Sequence, residues 1–143
     1  MEQVFIDTDV IIDFLIDRKP YSEKAAEIFS YSELGKIKGY VSSLSFSNVF
    51  YIVRKLEGRK KTIGLLEQLE KITTILPVDG KIVRQALISE IQDFEDALQN
   101  YCALSGGAKV IVTRNIKDYS KSSLAIHTPE SYLKILRKNL KKK

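Results

Sequence analysis

Residues 109–113 read KVIVT, apolar at consecutive positions, which suits a strand covered on both of its faces. Such a strand belongs in a parallel sheet, and parallel neighbours need a crossover between them, usually a helix. The rest of the chain has that layout. Short apolar runs at 4–6, 39–42, 74–76 and 124–126 are separated by stretches of helical spacing. Residues 21–34 place Ala25, Ile28 and Phe29 together, and 46–56 place Phe46, Val49, Phe50, Val53 and Leu56 on one stripe. Residues 62–72 and 79–91 continue the pattern, with Asp79 as a cap after Pro77. Thr128-Pro129-Glu130 marks a further helix start: a capping oxygen, a proline at the first helical position and an acid in the first turn. Gly106-Gly107 reads as a helix stop, since no phosphate-binding glycine motif surrounds it. The expected fold class is α/β, a parallel sheet covered on both faces.

At 143 residues, with 44% apolar and 29% charged side chains, one compact domain is expected. The division expected is a body at 1–136 and a basic tail at 137–143. The 23 basic residues outnumber the 18 acidic ones, but five lie in the closing RKNLKKK, which has no acid. The body is therefore neutral, and its overall charge reveals no polyanion-binding groove. One cysteine, Cys102, excludes an internal disulfide and a thiolate cluster, and one histidine, His127, excludes chemistry needing two imidazoles. No apolar run is long enough to span a bilayer and the opening MEQVFIDTD lacks a basic leader, so a cytoplasmic protein without a membrane partner is expected.

In an open parallel sheet, ligands bind beyond the carboxyl ends of the strands. Acids at those places are Asp7 and Asp9 after the first strand, Asp93 and Asp96 opening the helix before KVIVT, and Asp118 just beyond it. Hard oxygen donors without His or Cys suit Mg²⁺ or Mn²⁺, and such a cation relieves the repulsion among gathered carboxylates. It also activates water and offsets charge on a phosphoryl group. Each acid has a plainer role available. Asp7 and Asp9 suit a strand-end turn, Asp93 suits an N-cap with Asp96 at the third helical position, and Asp118 suits a short turn. Asp13, Asp17 and Asp79 show no convergence and are expected to be structural.

The ordered set FIDTDVIIDFL, DFEDALQNYCALSGGAKVIVTRNIKDY and HTPESYL resembles the PIN domain family, particularly the VapC-type ribonuclease toxins, along almost the whole chain. The resemblance implies a three-layer α/β/α sandwich with about five parallel strands. It implies a metal-dependent endoribonuclease, with Asp7, Asp96 and Asp118 as catalytic acids and ligands of Mg²⁺ or Mn²⁺. It also implies an RNA substrate, a small antitoxin as partner and a homodimer. Relatives commonly carry a glutamate in the helix after the second strand, whereas the corresponding residue here is Asn48, a neutral amide that coordinates only through its oxygen. Glu57 lies nine residues on and faces the other way. Asn115 stands where some relatives have an aspartate, and Asp9 or Asp93 is available to replace the charge; Asn48 and Asp93 complete the expected metal set.

Thr8, Thr113, Arg114 and Asn115 are expected to meet substrate phosphates at the mouth, Thr8 having a helix cap as its alternative. Residues 54–61 hold five basic side chains and one acid, suiting either an RNA backbone or an exposed helix connection. Phe46, Phe50 and Tyr51 are expected in the core rather than stacked on bases. Two other function classes fit parts of the sequence. DTDV after an apolar strand resembles the opening of haloacid-dehalogenase-type phosphatases, which work through an aspartyl-phosphate. Asn48 and Asn115 are compatible with a PIN-like domain that binds RNA or protein without cutting.

Overall fold

The computed structural model describes residues 1–142. Five strands form one parallel sheet: β1 (Glu2–Ile6), β2 (Ile37–Ser42), β3 (Thr74–Leu76), β4 (Val110–Val112) and β5 (Ala125–His127). Their spatial order is β3-β2-β1-β4-β5, so the first strand lies at the centre and the direction of strand addition reverses between β1 and β4. In register, Phe5 stands beside Tyr40 on one side and Ile111 on the other.

Alternation along the strands sorts side chains into two cores. Val4, Ile6, Val110 and Val112 face α1 (Thr8–Leu15), α2 (Ser22–Glu33), α3 (Ser43–Glu57), α4 (Arg59–Ile72) and α7 (Pro129–Lys141). Phe5, Tyr40, Leu76 and Ile111 face α5 (Gly80–Leu87) and α6 (Phe94–Ser105). The three-layer sandwich with five parallel strands is therefore present.

Local chemistry explains the element ends. Asp79 accepts a hydrogen bond from the Ile82 amide, and Thr128 from that of Ser131, as N-caps. The α6 helix ends at Gly106, with Gly107 at φ +81° and hydrogen bonds from Ala108 N to Ala103 O and from Gly107 N to Leu104 O. That paired closure needs the left-handed backbone glycine permits. Gly106 is needed for a second reason: a Cβ there would collide with the Leu76 side chain.

Several boundaries differ from expectation. The α1 helix does not stand out in the sequence, because Val10, Ile11 and Ile12 are all buried and leave no polar face to give a period. The α3 helix starts three residues early, capped by Ser42, whose hydroxyl accepts from Ser45 N at 3.1 Å. The α5 helix stops at Leu87, and just beyond it the Ser89 hydroxyl takes the Ile91 amide at 3.0 Å, a local bond that competes with helix continuation. On α3, Leu56 and Tyr51 are exposed rather than core, with Arg54 and Lys55 set over the Tyr51 ring. Residues 54–61 form the exposed turn from α3 to α4 around Gly58. The basic tail is continuous with α7 as far as Lys141, and Arg137 reaches back to Glu27 of α2 at 2.6 Å; Lys143 lies outside the described residues.

Candidate active site

The reversal between β1 and β4 opens the crevice where α/β sheets bind ligands. The elements that start there carry the acids. Asp7 directly follows β1 and caps α1, its Oδ1 accepting from the Thr8 amide at 2.8 Å. Its Oδ2 accepts from the Thr113 hydroxyl, at the end of β4, at 2.8 Å. Asp9, in the first turn of α1, accepts through Oδ2 from the Arg114 amide at 3.1 Å and from Asn115 Nδ2 at 3.2 Å. Its Oδ1 is buried with no partner.

Asp93 caps α6 by accepting from the Asp96 amide at 3.0 Å, so its plainer role is fulfilled. Asp96 points toward Tyr119, whose hydroxyl donates to Oδ1 at 3.4 Å. Asp118 lies one residue before Tyr119 in the 3-10 turn Ile116–Tyr119, which begins after Asn115. Asn48, on α3, donates from Nδ2 to Glu95 Oε1 on α6 at 2.8 Å.

A buried polar layer lies under these acids. Gln99 Nε2 donates to the Thr8 hydroxyl at 3.1 Å and the Ser45 hydroxyl at 2.9 Å, while Gln99 Oε1 accepts from Ser42. The layer ties α1, β2, α3 and α6 together. Every member has a partner, so it rigidifies the floor without a desolvation penalty left over.

The electrostatics are one-sided. Burial raises the Asp7 pKa above its ordinary value. Burial, then the Asp7 charge, pushes Asp9 up to about 6. Burial, followed by the charges of Asp7, Asp93, Asp118 and Glu95, pushes Asp96 up to about 7. Burial, followed by the charges of Asp7 and Asp96, raises the Tyr119 phenol, which faces both carboxylates. Among the described residues, none of Asp7, Asp9, Asp93, Glu95, Asp96 or Asp118 is in an ion pair. The Arg114 charge offsets part of this at Asp9; the repulsion left among Asp7, Asp96 and their acidic neighbours is the condition a divalent ion relieves, and the donors are hard oxygens that suit Mg²⁺ or Mn²⁺. As the side chains stand, no three acids, histidines or cysteines among the described residues are close enough to enclose an ion. The fit thus lies in donor chemistry and charge, with closure left to side-chain rotation.

The predicted substrate contacts divide by exposure. Thr113 is fully buried and Thr8 nearly so, both hydroxyls turned inward to the acid and the floor. Arg114 is half-buried, with Nε donating to Asp13 Oδ2 at 2.7 Å and the guanidinium 4.0 Å from the Tyr21 ring centre. Asn115 is exposed at the mouth. Glu95, Gln99 and Tyr119 were not legible as site residues. The spacing of Asp96 and Gln99, three apart and thus on one helix face, was the available signal for Gln99. For Tyr119 it was its place beside Asp118.

The family model described as PIN domain matches residues 3–117. The ribonuclease VapC1 of Aquifex aeolicus (strain VF5) is 25% identical over 134 residues, covering 90% of this chain and 92% of that protein. Among solved structures, the DNA-bound VapBC of Salmonella typhimurium aligns with a TM-score of 0.68 at 18% identity, over 90% of this chain and 99% of that one. VapC20 of Mycobacterium tuberculosis, described as a toxin that cleaves the sarcin-ricin loop, aligns with a TM-score of 0.62 at 12% identity, over 76% and 86%.

Proposed function

The chain belongs to the PIN domain family, and on that premise we propose that it is a metal-dependent endoribonuclease that hydrolyses RNA phosphodiester bonds. The observation that carries the reading is the group of carboxylates, without ion pairs among the described residues, at the mouth of β1 and β4, where Asp96 is raised to about 7 and Asp9 to about 6 by burial and by neighbouring acids. Asp7, Asp96 and Asp118 would hold Mg²⁺ or Mn²⁺, with Asp93 and Asn48 beside them. When bound, the cation supplies Lewis acidity to activate water and offsets charge on the phosphoryl oxygens.

The remaining tasks fall to the chain itself. Thr113 and the Thr8 amide fix the Asp7 carboxylate from two sides, so it is oriented before substrate arrives. Gln99 and Ser45 hold Thr8 from below. The exposed Asn115 amide and the Arg114 guanidinium would meet substrate phosphates at the mouth by exchanging their bonds to Asp9 and Asp13. The aspartyl-phosphate reading has less support: the hydrogen-bond partners of Asp7 are Thr8 and Thr113, with no lysine among them to offset the charge of a phosphoryl group carried on Asp7.

We further propose that the protein is the toxin of a toxin–antitoxin pair, a homodimer that acts in the cytoplasm. The likeness to VapC1 and to the VapBC complex supports the pairing. Exposed Tyr51, Ile52 and Leu56 on α3 offer apolar surface for a partner. Among the described residues, no helix is long and apolar enough to cross a membrane.

The deciding experiment is Mn²⁺ titration calorimetry with parallel RNA cleavage, comparing the natural sequence with Asp7→Asn. The expected result is saturable binding and cleavage, both lost in the variant while its circular dichroism is retained. RNA binding without Mn²⁺ binding or cleavage would instead show a non-catalytic RNA-binding domain.

A further inference from the structure

The α3 helix presents an amide, Asn48, where a carboxylate is expected, and the structure shows what that amide does. Its Nδ2 donates at 2.8 Å to Glu95 Oε1, bridging α3 to the first turn of α6. Glu95 directly precedes Asp96 and lies within the field of both Asp7 and Asp93. Asn48, Glu95 and Thr8 line one pocket of about 340 Å³, and Thr8 is the residue whose amide grips Asp7.

We propose that Glu95 supplies from α6 the carboxylate that α3 lacks, and that Asn48 is the positioning residue that holds it toward the acidic centre. This rests on the metal-dependent reading above. The ordinary role for a first-turn glutamate is to complement the helix dipole while its side chain points to water. Glu95 is exposed as such a residue would be, yet it also takes a hydrogen bond from a residue 47 positions earlier in the chain, which fixes its direction. The amide suits that job because it donates without adding charge, whereas a glutamate at position 48 would face Glu95 with like charge. One acid at 48 or 95 is compatible with the site, and the chemistry of position 48 decides which.

The test uses Mn²⁺ alone as probe and calorimetric affinity as the reading, with the melting temperature in EDTA as a control for folding. Glu95→Gln should weaken Mn²⁺ binding about tenfold or more, in line with the loss of a charged oxygen donor or its support. Its metal-free melting temperature should be unchanged or higher, since a repelling charge has gone. Asn48→Ala should weaken Mn²⁺ binding by a smaller factor, without loss of metal-free stability. Moving the acid, in Asn48→Glu with Glu95→Gln, should recover affinity to within about threefold, a rescue that a merely structural contact would not produce.

Glu95→Gln binding Mn²⁺ as tightly as the natural sequence, while Asp7→Asn abolishes binding, would overturn this inference and leave the metal-dependent reading standing. Failure of the natural sequence itself to bind Mn²⁺ would remove both.

Discussion

Asp7 and Asp13 lie at opposite ends of the same short stretch, and both are buried, at 6% and 1% exposure. Their surroundings differ in kind. Asp13 is met by two guanidinium groups: Arg114 donates through Nε at 2.7 Å and Nη2 at 3.3 Å, and Arg18 Nε stands 2.9 Å away without hydrogen-bond alignment. Asp7 has only neutral donors, an amide and a hydroxyl, and its charge repels those of Asp9 and Asp96. A chain that supplies two cations to one buried carboxylate and none to the next leaves the second site charged by design of its neighbours. What is missing at Asp7 is positive charge, which is what the proposed divalent ion would bring. Arg114 links the two regions, since its guanidinium serves Asp13 while its backbone amide serves Asp9.

The comparison predicts opposite signs. Asp13→Ala should lose about 3 kcal/mol of stability in urea unfolding, because it strands a partly buried guanidinium. Asp7→Asn should leave the metal-free protein equally or more stable. Equal losses in the two variants would break the contrast. Next in size is the metal effect: Mn²⁺ at one hundred times its dissociation constant should add about 2.7 kcal/mol to the natural sequence and nothing to Asp7→Asn.

A smaller effect separates the regions by pH. Asp9 and Asp96 have folded-state pKa values of about 6 and about 7, above the ordinary 3.8. Between those limits the folded state binds more protons than the unfolded one, so the metal-free protein loses stability as pH rises through 6 to 7. Melting in EDTA should therefore occur a few degrees lower at pH 8 than at pH 5, and Asp96→Asn should flatten that slope. A slope unchanged by Asp96→Asn would sever the link between the acids and the pH response. The smallest effect is expected from Tyr119→Phe, which removes a long 3.4 Å donation to Asp96 and should cost less than about 1 kcal/mol.

The sheet was legible in the sequence because buried parallel strands are written as local apolar runs: 74–76 matches β3, and KVIVT contains β4. Helix α1 was not, because burial around most of its circumference erases the period on which such readings depend. The same division holds at the site. Asp7 and Asp118 could be singled out from their positions just after strands, and Asp96 from its place at the start of a helix together with the family resemblance. The arrangement of Asn48 with Glu95, of Gln99 under Thr8 and of Tyr119 against Asp96 depends on pairings between distant segments, which no local pattern encodes. Asp13 was expected to be structural on the absence of convergence, but its two arginine partners come from opposite directions, Arg18 from the next loop and Arg114 from beyond β4.

The central position of β1 has a consequence for timing during synthesis. Asp7 leaves the ribosome long before the strand that stands beside it on the far side, since β4 begins only at Val110 and Asp118 follows later still. No early fragment can assemble the acidic mouth, and a chain cut short before the 3-10 turn lacks one of its acids and Tyr119. The order of strands thus defers assembly of the complete acidic group until β4 and the 3-10 turn after it have been made.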